Sequence, residues 1–375
     1  MQTNRRTFCA QAATLLLAPR TLLSESTSRP NVAAIDHDRI LKSAGDYLTV
    51  QPTPLTTLPS PQSPGTPRDY YSSAAFTAHR DALLNLSLYV PALTAAFVLT
   101  KDERYAQKAA AHLHAWFIDP ATSMTPSLDY AGTTLPAKTG TPEGIVEAVH
   151  LAEVAQSVPF LAGVLSATDQ AALQKWFAAY LDWLNNSRRA GLARDQKNHH
   201  GTSWLLQAAA CARLNTADDA PLTALRHIYK STTIRAQIVA DGFFPREIAT
   251  PNPYRNSLFN LDMLAAVCLL LSTQFDSVWE YDLQDGPGMR VAIARHFPYI
   301  KDRGTWPYES DATHFNDLPL RQPSLLFCAR AYNRPEYADL WKTLPADTAI
   351  PELQRTFPIR QPLLWVTRRP WVSTK

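Results

Sequence analysis

Glycine is scarce in this 375-residue chain, at 12 residues, and cysteine is scarcer, at four. So few glycines exclude a Gly-rich phosphate-cradling fold and speak against a many-turned all-β fold, because both need residues free to take positive φ. Charge is thin as well. Only 18% of residues are charged, and 36 Lys+Arg against 33 Asp+Glu leave a formal +3, with no electrostatic footprint for nucleic acid or an anionic membrane. No stretch beyond the N-terminus reaches the roughly 18 unbroken apolar residues of a membrane span. Cys9 lies in the N-terminal segment, and Cys211, Cys268 and Cys328 stand too far apart for a disulfide framework or a CxxC metal site. What the chain does have is 46% hydrophobic residues, enough for a large core, and 29 prolines, which read as rigid loops that stop helices.

The first segment reads as separate from the fold. Arg5-Arg6-Thr7-Phe8 precedes a weakly apolar run from Ala10 to Pro19, too short to span a bilayer. A twin arginine before such a run resembles a bacterial export signal. Residues 1–28 are therefore expected to be a twin-arginine-type signal, which places the protein in the periplasm or outside the cell.

Residues 29–69 read as an arm: a short helix from Ile40 to Leu48, then a Pro/Thr/Ser-rich stretch from Gln51 to Arg68. Helical periodicity dominates afterwards. It marks Leu83–Leu99, Arg104–Phe117 and Glu143–Val158, and is clearest after Thr168-Asp169, where Leu173, Trp176, Phe177, Tyr180, Leu181 and Leu184 recur at helical spacing. Further helices fit Thr202–Leu214, Leu222–Ile238, Leu258–Leu271, Met289–Phe297 and Ser324–Tyr332. Weak strand alternation appears only at Leu363–Val366. Roughly ten helices without a composition break predict one all-α domain over 70–375, closed as an (α/α) toroid or incomplete barrel of helical hairpins. An open solenoid would need a fixed sequence period, and none is present.

Three loop-edge clusters concentrate polar and aromatic residues between these helices. The first is Lys197-Asn198-His199-His200-Gly201-Thr202-Ser203-Trp204, which sets imidazoles and an amide at a helix start, where anions bind well. A zinc site would need a third ligand at an identifiable spacing, which this segment lacks. The second runs from Asp241 through Arg246-Glu247 to Tyr254-Arg255-Asn256, and the third from Arg303 through Trp306-Pro307-Tyr308 to Glu309. A fourth loop, Met124 to Tyr130, adds another aromatic. Each of these groups also suits the simpler purpose of tying loops together.

Taken in order, the clusters resemble a family, the alginate-lyase-like polysaccharide lyases. Asn198-His199-His200-Gly201-Thr202 is similar to its NNHGT segment, and Trp176-Phe177 with Tyr180 to Leu184 to the WF..YL.WL helix before it. Asp241-Gly242, Pro245-Arg246-Glu247 and Ser257 to Leu261 resemble the DG…P.E…R…Y.NFNLE segment. Trp116-Phe117 with Pro120 to Met124 resembles WF.DP.T.M, and Trp306-Pro307-Tyr308 resembles WPY. The resemblance spans about residues 70 to 310.

It implies an (α/α) toroid and β-elimination of an anionic polysaccharide substrate, a 1,4-linked uronic-acid polymer such as alginate or glucuronan, with no metal or other cofactor. A carboxylate must be neutralised before the adjacent C5 proton becomes acidic, which suits an amide, a histidine and an arginine. Histidine or tyrosine then takes the proton, and tyrosine returns one to the leaving oxygen. The resemblance thus makes Asn198, His199, His200, Tyr254 and Tyr308 the catalytic candidates. Arg255, Arg303, Arg246, Trp306 and Tyr130 become candidates for binding the sugar. Two positions depart from the pattern: His199 stands where the family has a second asparagine, and Asn256 where its tyrosine is expected. The alternatives are a helical-toroid glycoside hydrolase, which would draw its paired carboxylates from Asp241, Glu247 and Glu309, and a polysaccharide-binding protein without activity.

Overall fold

Polar caps and first-turn prolines start the helices where the periodicity predicts them. Ser166 caps one helix through Asp169 N at 3.1 Å, Asp102 caps another through Arg104 N at 3.0 Å, and proline occupies the first turn of several more. The computed structural model describes residues 29–60, 69–133, 140–215, 219–283 and 286–367, so the expected export signal lies outside the described residues. In chain order the helices that carry the architecture are α1 (His37–Tyr47), α2 (Ala78–Thr100), α3 (Glu103–Leu113), α4 (Leu151–Ser157), α5 (Ala167–Asn186), α6 (His199–Ala212), α7 (Ala220–Ile228), α8 (Pro253–Leu271), α9 (Met289–Lys301), α10 (Pro323–Tyr332), α11 (Pro335–Thr343) and α12 (Pro362–Val366). Among the described residues there is no strand, only isolated bridges such as Tyr71 with Tyr130.

The helices form two layers. α2, α4, α6, α8 and α10 pack in succession as an inner layer, and α3, α5, α7, α9 and α11 pack outside them. The layers differ as their burial requires. Every residue from Gly201 to Ala212 in α6 is buried, whereas α5 buries only the stripe Leu173, Trp176, Phe177, Tyr180, Leu181 and Leu184. A helix apolar all round belongs in the interior and an amphipathic one at the surface. α2 has the length and hydropathy of a membrane span, but two thirds of its apolar window is buried inside the protein, as befits a core helix.

The ends of the chain close this array into a single-domain toroid. Buried Glu153 of α4 accepts the main-chain N–H groups of Arg360 and Gln361 at 2.9 and 2.8 Å and the Trp365 indole N–H at 3.2 Å. The Arg360 guanidinium reaches Ser87 of α2, and Phe327 of α10 meets Trp365 of α12 with ring centres 6.1 Å apart. From the N-terminal side, Arg39 of α1 donates to the Gln361 side chain and to Asp36, which also receives Arg321 at 2.7 Å.

Two local expectations need correction. The helix expected over Glu143–Val158 is two, Glu143–Glu147 and α4, with a turn at 148–150. The strand expected at Leu363–Val366 is the helical turn α12. A short apolar run buried on all sides has no period to reveal its conformation, and Pro362 in the first turn favours the helix.

Candidate active site

α6 begins at His199, three residues earlier than its apolar stripe suggests, so both histidines lie in its first turn. Asn198 is the cap: its Oδ1 accepts His200 N–H at 3.1 Å and faces His200 Nδ1 at 3.3 Å. The amide oxygen can only accept, so His200 Nδ1 carries the proton and Nε2 the lone pair. The Asn198 Nδ2 amide is then free to donate, since it has no partner among the described residues. Gly201 is required here because a Cβ would overlap the Gln196 carbonyl. Burial, then the neighbouring His199, hold His200 down at about 4, with Glu143 pulling the other way, so at neutral pH its ring is uncharged.

His199 is held differently. Glu247, fully buried, accepts His199 N–H through Oε1 at 2.6 Å and faces Nδ1 through Oε2 at 2.7 Å. A carboxylate accepts only, so Nδ1–H donates, and in the neutral ring Nε2 carries the lone pair. The two imidazoles lie 4.5 Å apart, and Phe259 of α8 backs His199 at 5.7 Å.

The turn that supplies Glu247 also ties in the third cluster. Asp241 Oδ1 caps Phe243 N–H at 3.1 Å, and Gly242 takes φ +92° against the Val291 carbonyl, a conformation and a space that exclude a side chain. Phe243 packs against Trp306 and Tyr308, at 6.0 and 5.1 Å. One turn therefore bonds to His199 at residue 247 and packs on Tyr308 from residue 243. Beside it, Leu192, Asp195, Gln196, Lys197, Asn198, Arg246 and Ala249 line an open cleft of about 540 Å³. Lys197 and Arg246 are exposed and form no ion pair among the described residues, while Asp195 pairs with Arg194 at 2.8 Å. The cleft wall by Asn198 is therefore positive.

The remaining candidates divide. Tyr308 is 40% exposed and its hydroxyl has no partner among the described residues; burial, then Asp241, raise its pKa, so it keeps its proton. Tyr254 is fully buried against Trp306 and Phe315 and donates its hydroxyl to the Tyr299 carbonyl at 3.0 Å. Its hydroxyl is therefore engaged away from solvent, because the first turn of α8 points this residue into the aromatic cluster. Arg303 is likewise a tie, donating to the Asn316 carbonyl at 2.9 Å and to the Leu318 carbonyl, with its guanidinium over Phe315. Trp306 is 8% exposed and packed by its neighbours, so it offers no open face to a sugar. Arg255 reaches Thr313, and its main-chain N–H binds Asp311, which also caps Tyr254. Asn256 donates to Thr250 at 3.0 Å. Tyr130 is half-buried beside Asp129, which Arg189 holds at 2.7 Å. The Asp129 carbonyl accepts Gly140 N–H, and Glu143, just beyond, is the acid near His200.

From sequence Glu247 reads as a loop acid, and nothing local marks Lys197 or Glu143 as site residues. Glu247 acts across 48 residues of chain, and only its place in the PRE segment hinted at it.

A family model described as alginate lyase matches residues 28–306. Among solved structures, an alginate lyase from Bacteroides ovatus matches with a TM-score of 0.75 at 22% identity, covering 88% of this chain and 94% of its own. Alginate lyase A1-III from Sphingomonas species A1 matches with a TM-score of 0.52 at 15% identity, covering 83% and 88%. Both share the helical fold. No curated protein sequence matches.

Proposed function

We propose that this chain, which belongs to the alginate lyase family and is a polysaccharide lyase, cleaves a 1,4-linked polyuronate, with alginate first and glucuronan second, by β-elimination at the start of α6. The observation that carries this reading is the Asn198 amide, without a partner among the described residues, beside two imidazoles whose Nδ1 atoms are both engaged, next to a cleft lined by Lys197 and Arg246, which form no ion pair among the described residues. The substrate carboxylate would lie against the Asn198 Nδ2–H and the positive end of α6, which offset the charge that grows as the C5 proton leaves. An imidazole of the His199–His200 pair takes that proton. The electron pair forms the C4=C5 double bond, the C4–O bond breaks, and the departing glycosidic oxygen takes a proton from a donor such as the Tyr308 hydroxyl. Lys197 and Arg246 suit neighbouring carboxylates along the polymer.

The hydrolase alternative finds no support in the acids. Glu247 is sealed and engaged with His199, Asp241 caps its own turn, and neither Asp241 nor Glu309 lines the cleft, whose one acid among the described residues, Asp195, is paired with Arg194. We also place the enzyme outside the cytoplasm, on the reading of Arg5-Arg6 as part of an export signal.

The test is to incubate the purified protein with alginate, glucuronan and related polymers and to follow unsaturated product by ultraviolet absorbance. The expected result is product from one polyuronate, lost when His199 and His200 are both replaced by alanine, with helical circular dichroism intact. Reducing ends without the unsaturated chromophore would make the protein a hydrolase. Tight binding without turnover would make it a binding protein.

A further inference from the structure

We propose that Glu247 is a positioning residue that makes His199, rather than His200, the imidazole that takes the C5 proton. The inference rests on the lyase reading above and assigns within it a role that the sequence left open. The two rings are neighbours with opposite support. His199 has a buried carboxylate on Nδ1, which fixes the tautomer, fixes the ring plane and stabilises the imidazolium that forms when Nε2 accepts a proton. A second bond from the same carboxylate to His199 N–H locks the backbone at that residue, so the ring has little freedom to swing away. His200 has only the neutral Asn198 oxygen on its Nδ1.

The surroundings reinforce the difference. Charged groups near the pair are Glu247 on His199, Glu143 towards His200, and Arg246 and Lys197 at the cleft. Burial disfavours a charged His200, and a proton on His199 would disfavour it further. A proton taken onto His199 Nε2 leaves an imidazolium beside the Glu247 carboxylate, whereas one taken onto His200 has only the neutral Asn198 oxygen on its Nδ1. His199 keeps 12% side-chain exposure, and its Nε2 has no partner among the described residues, so the lone pair is reachable. Neither phenol competes on this geometry: Tyr254 is engaged with Tyr299, and Tyr308 keeps its proton and suits donation. The proton taken from C5 ends on His199 Nε2, and the leaving oxygen is protonated separately.

The experiment compares the wild-type chain with Glu247→Gln and Glu247→Asp on the preferred polyuronate across pH, with nitrogen-15 NMR of the histidines. Glu247→Gln is expected to lower kcat about 100-fold or more with KM within about threefold, because the lost interaction forms in the transition state. The acid limb of its kcat/KM profile should move to lower pH, since an imidazolium without its carboxylate gives up its proton more readily. Glu247→Asp should restore part of both, and the protonated-Nδ1 signature of His199 should weaken in Glu247→Gln alone. Glu247→Gln turning over within about threefold of wild type would overturn the proposal. So would lost turnover with an unmoved acid limb, which marks a merely structural glutamate. A wild-type protein with no unsaturated product on any polyuronate would sink the lyase reading instead, and the NMR signature would still decide whether Glu247 sets the His199 tautomer.

Discussion

Glu153 and Glu247 are both sealed from solvent, and the comparison between them separates a contact that closes the fold from one that the proposed reaction would use. Glu153 sits where the ends of the toroid meet and is surrounded by donors that cannot give up a proton: two main-chain N–H groups, an indole N–H and the nearby Arg360. Burial raises its pKa and Arg360 opposes that rise. Glu247 instead satisfies one main-chain N–H and one imidazole, and that imidazole keeps an edge in solvent. The difference lies in the partner. Fixed donors around a buried carboxylate make a staple, whereas a titratable partner near a cleft is what the proposed proton transfer requires.

The comparison is broken most severely by Glu153→Ala. Removing it strands the Arg360 charge and two main-chain N–H groups in the interior, where loss of one partner of a buried pair costs about 3–5 kcal/mol. Chemical denaturation should show that loss, while turnover per folded molecule stays near wild type. Glu247→Gln should reverse the pattern. Equal losses of stability and turnover in both variants would erase the distinction.

Acid sharpens it next. His112, His200 and His296 are each held down at about 4 by burial, against an ordinary value of 6.5, and His150 beside Arg360 is held well below it. As pH falls below about 6.5 the unfolded chain binds protons that the folded chain refuses, so their contribution is lost progressively from about 6.5 to about 4. Asp262 of α8, pushed up to about 7 by burial, works in the opposite sense: the folded carboxyl keeps a proton that the unfolded chain releases, so it destabilises as pH rises towards 7. The thermal midpoint should therefore drop on acidification below about 6.5, and Asp262→Asn should steepen that drop. A midpoint unchanged between pH 6.5 and 4 would contradict the burial of these rings.

The smallest effect belongs to the cleft wall. Lys197→Ala and Arg246→Ala should each raise KM severalfold, consistent with about 0.2–1 kcal/mol for an exposed charge, and the rise should shrink as salt increases. A KM that does not respond to either change, at low salt, would remove these cations from substrate binding.

Much of the fold was legible beforehand because burial is periodic. The stripe from Leu173 to Leu184 in α5 matches its buried face residue for residue. The NHHG segment likewise marked a helix start with chemistry, since capping is local. Tyr254 shows the limit. Tyrosine beside arginine in a proline-bounded loop reads as a reactive phenol, but α8 begins at Pro253 and carries that hydroxyl to the Tyr299 carbonyl. Trp306 shows it too, since nothing local distinguishes an open aromatic face from one already packed by Phe243, Tyr254 and Tyr299.

The sequence alone determined the all-α class, the buried stripe of α5, and the helix start that gathers Asn198, His199 and His200, because each depends on neighbours within a turn or two. Only the tertiary structure decided that residues 360–366 close the ring, that Glu247 rather than any nearer acid takes His199, and which tyrosine keeps an open hydroxyl. Those outcomes depend on contacts between distant parts of the chain, where a buried polar atom must find a partner wherever the packing brings one.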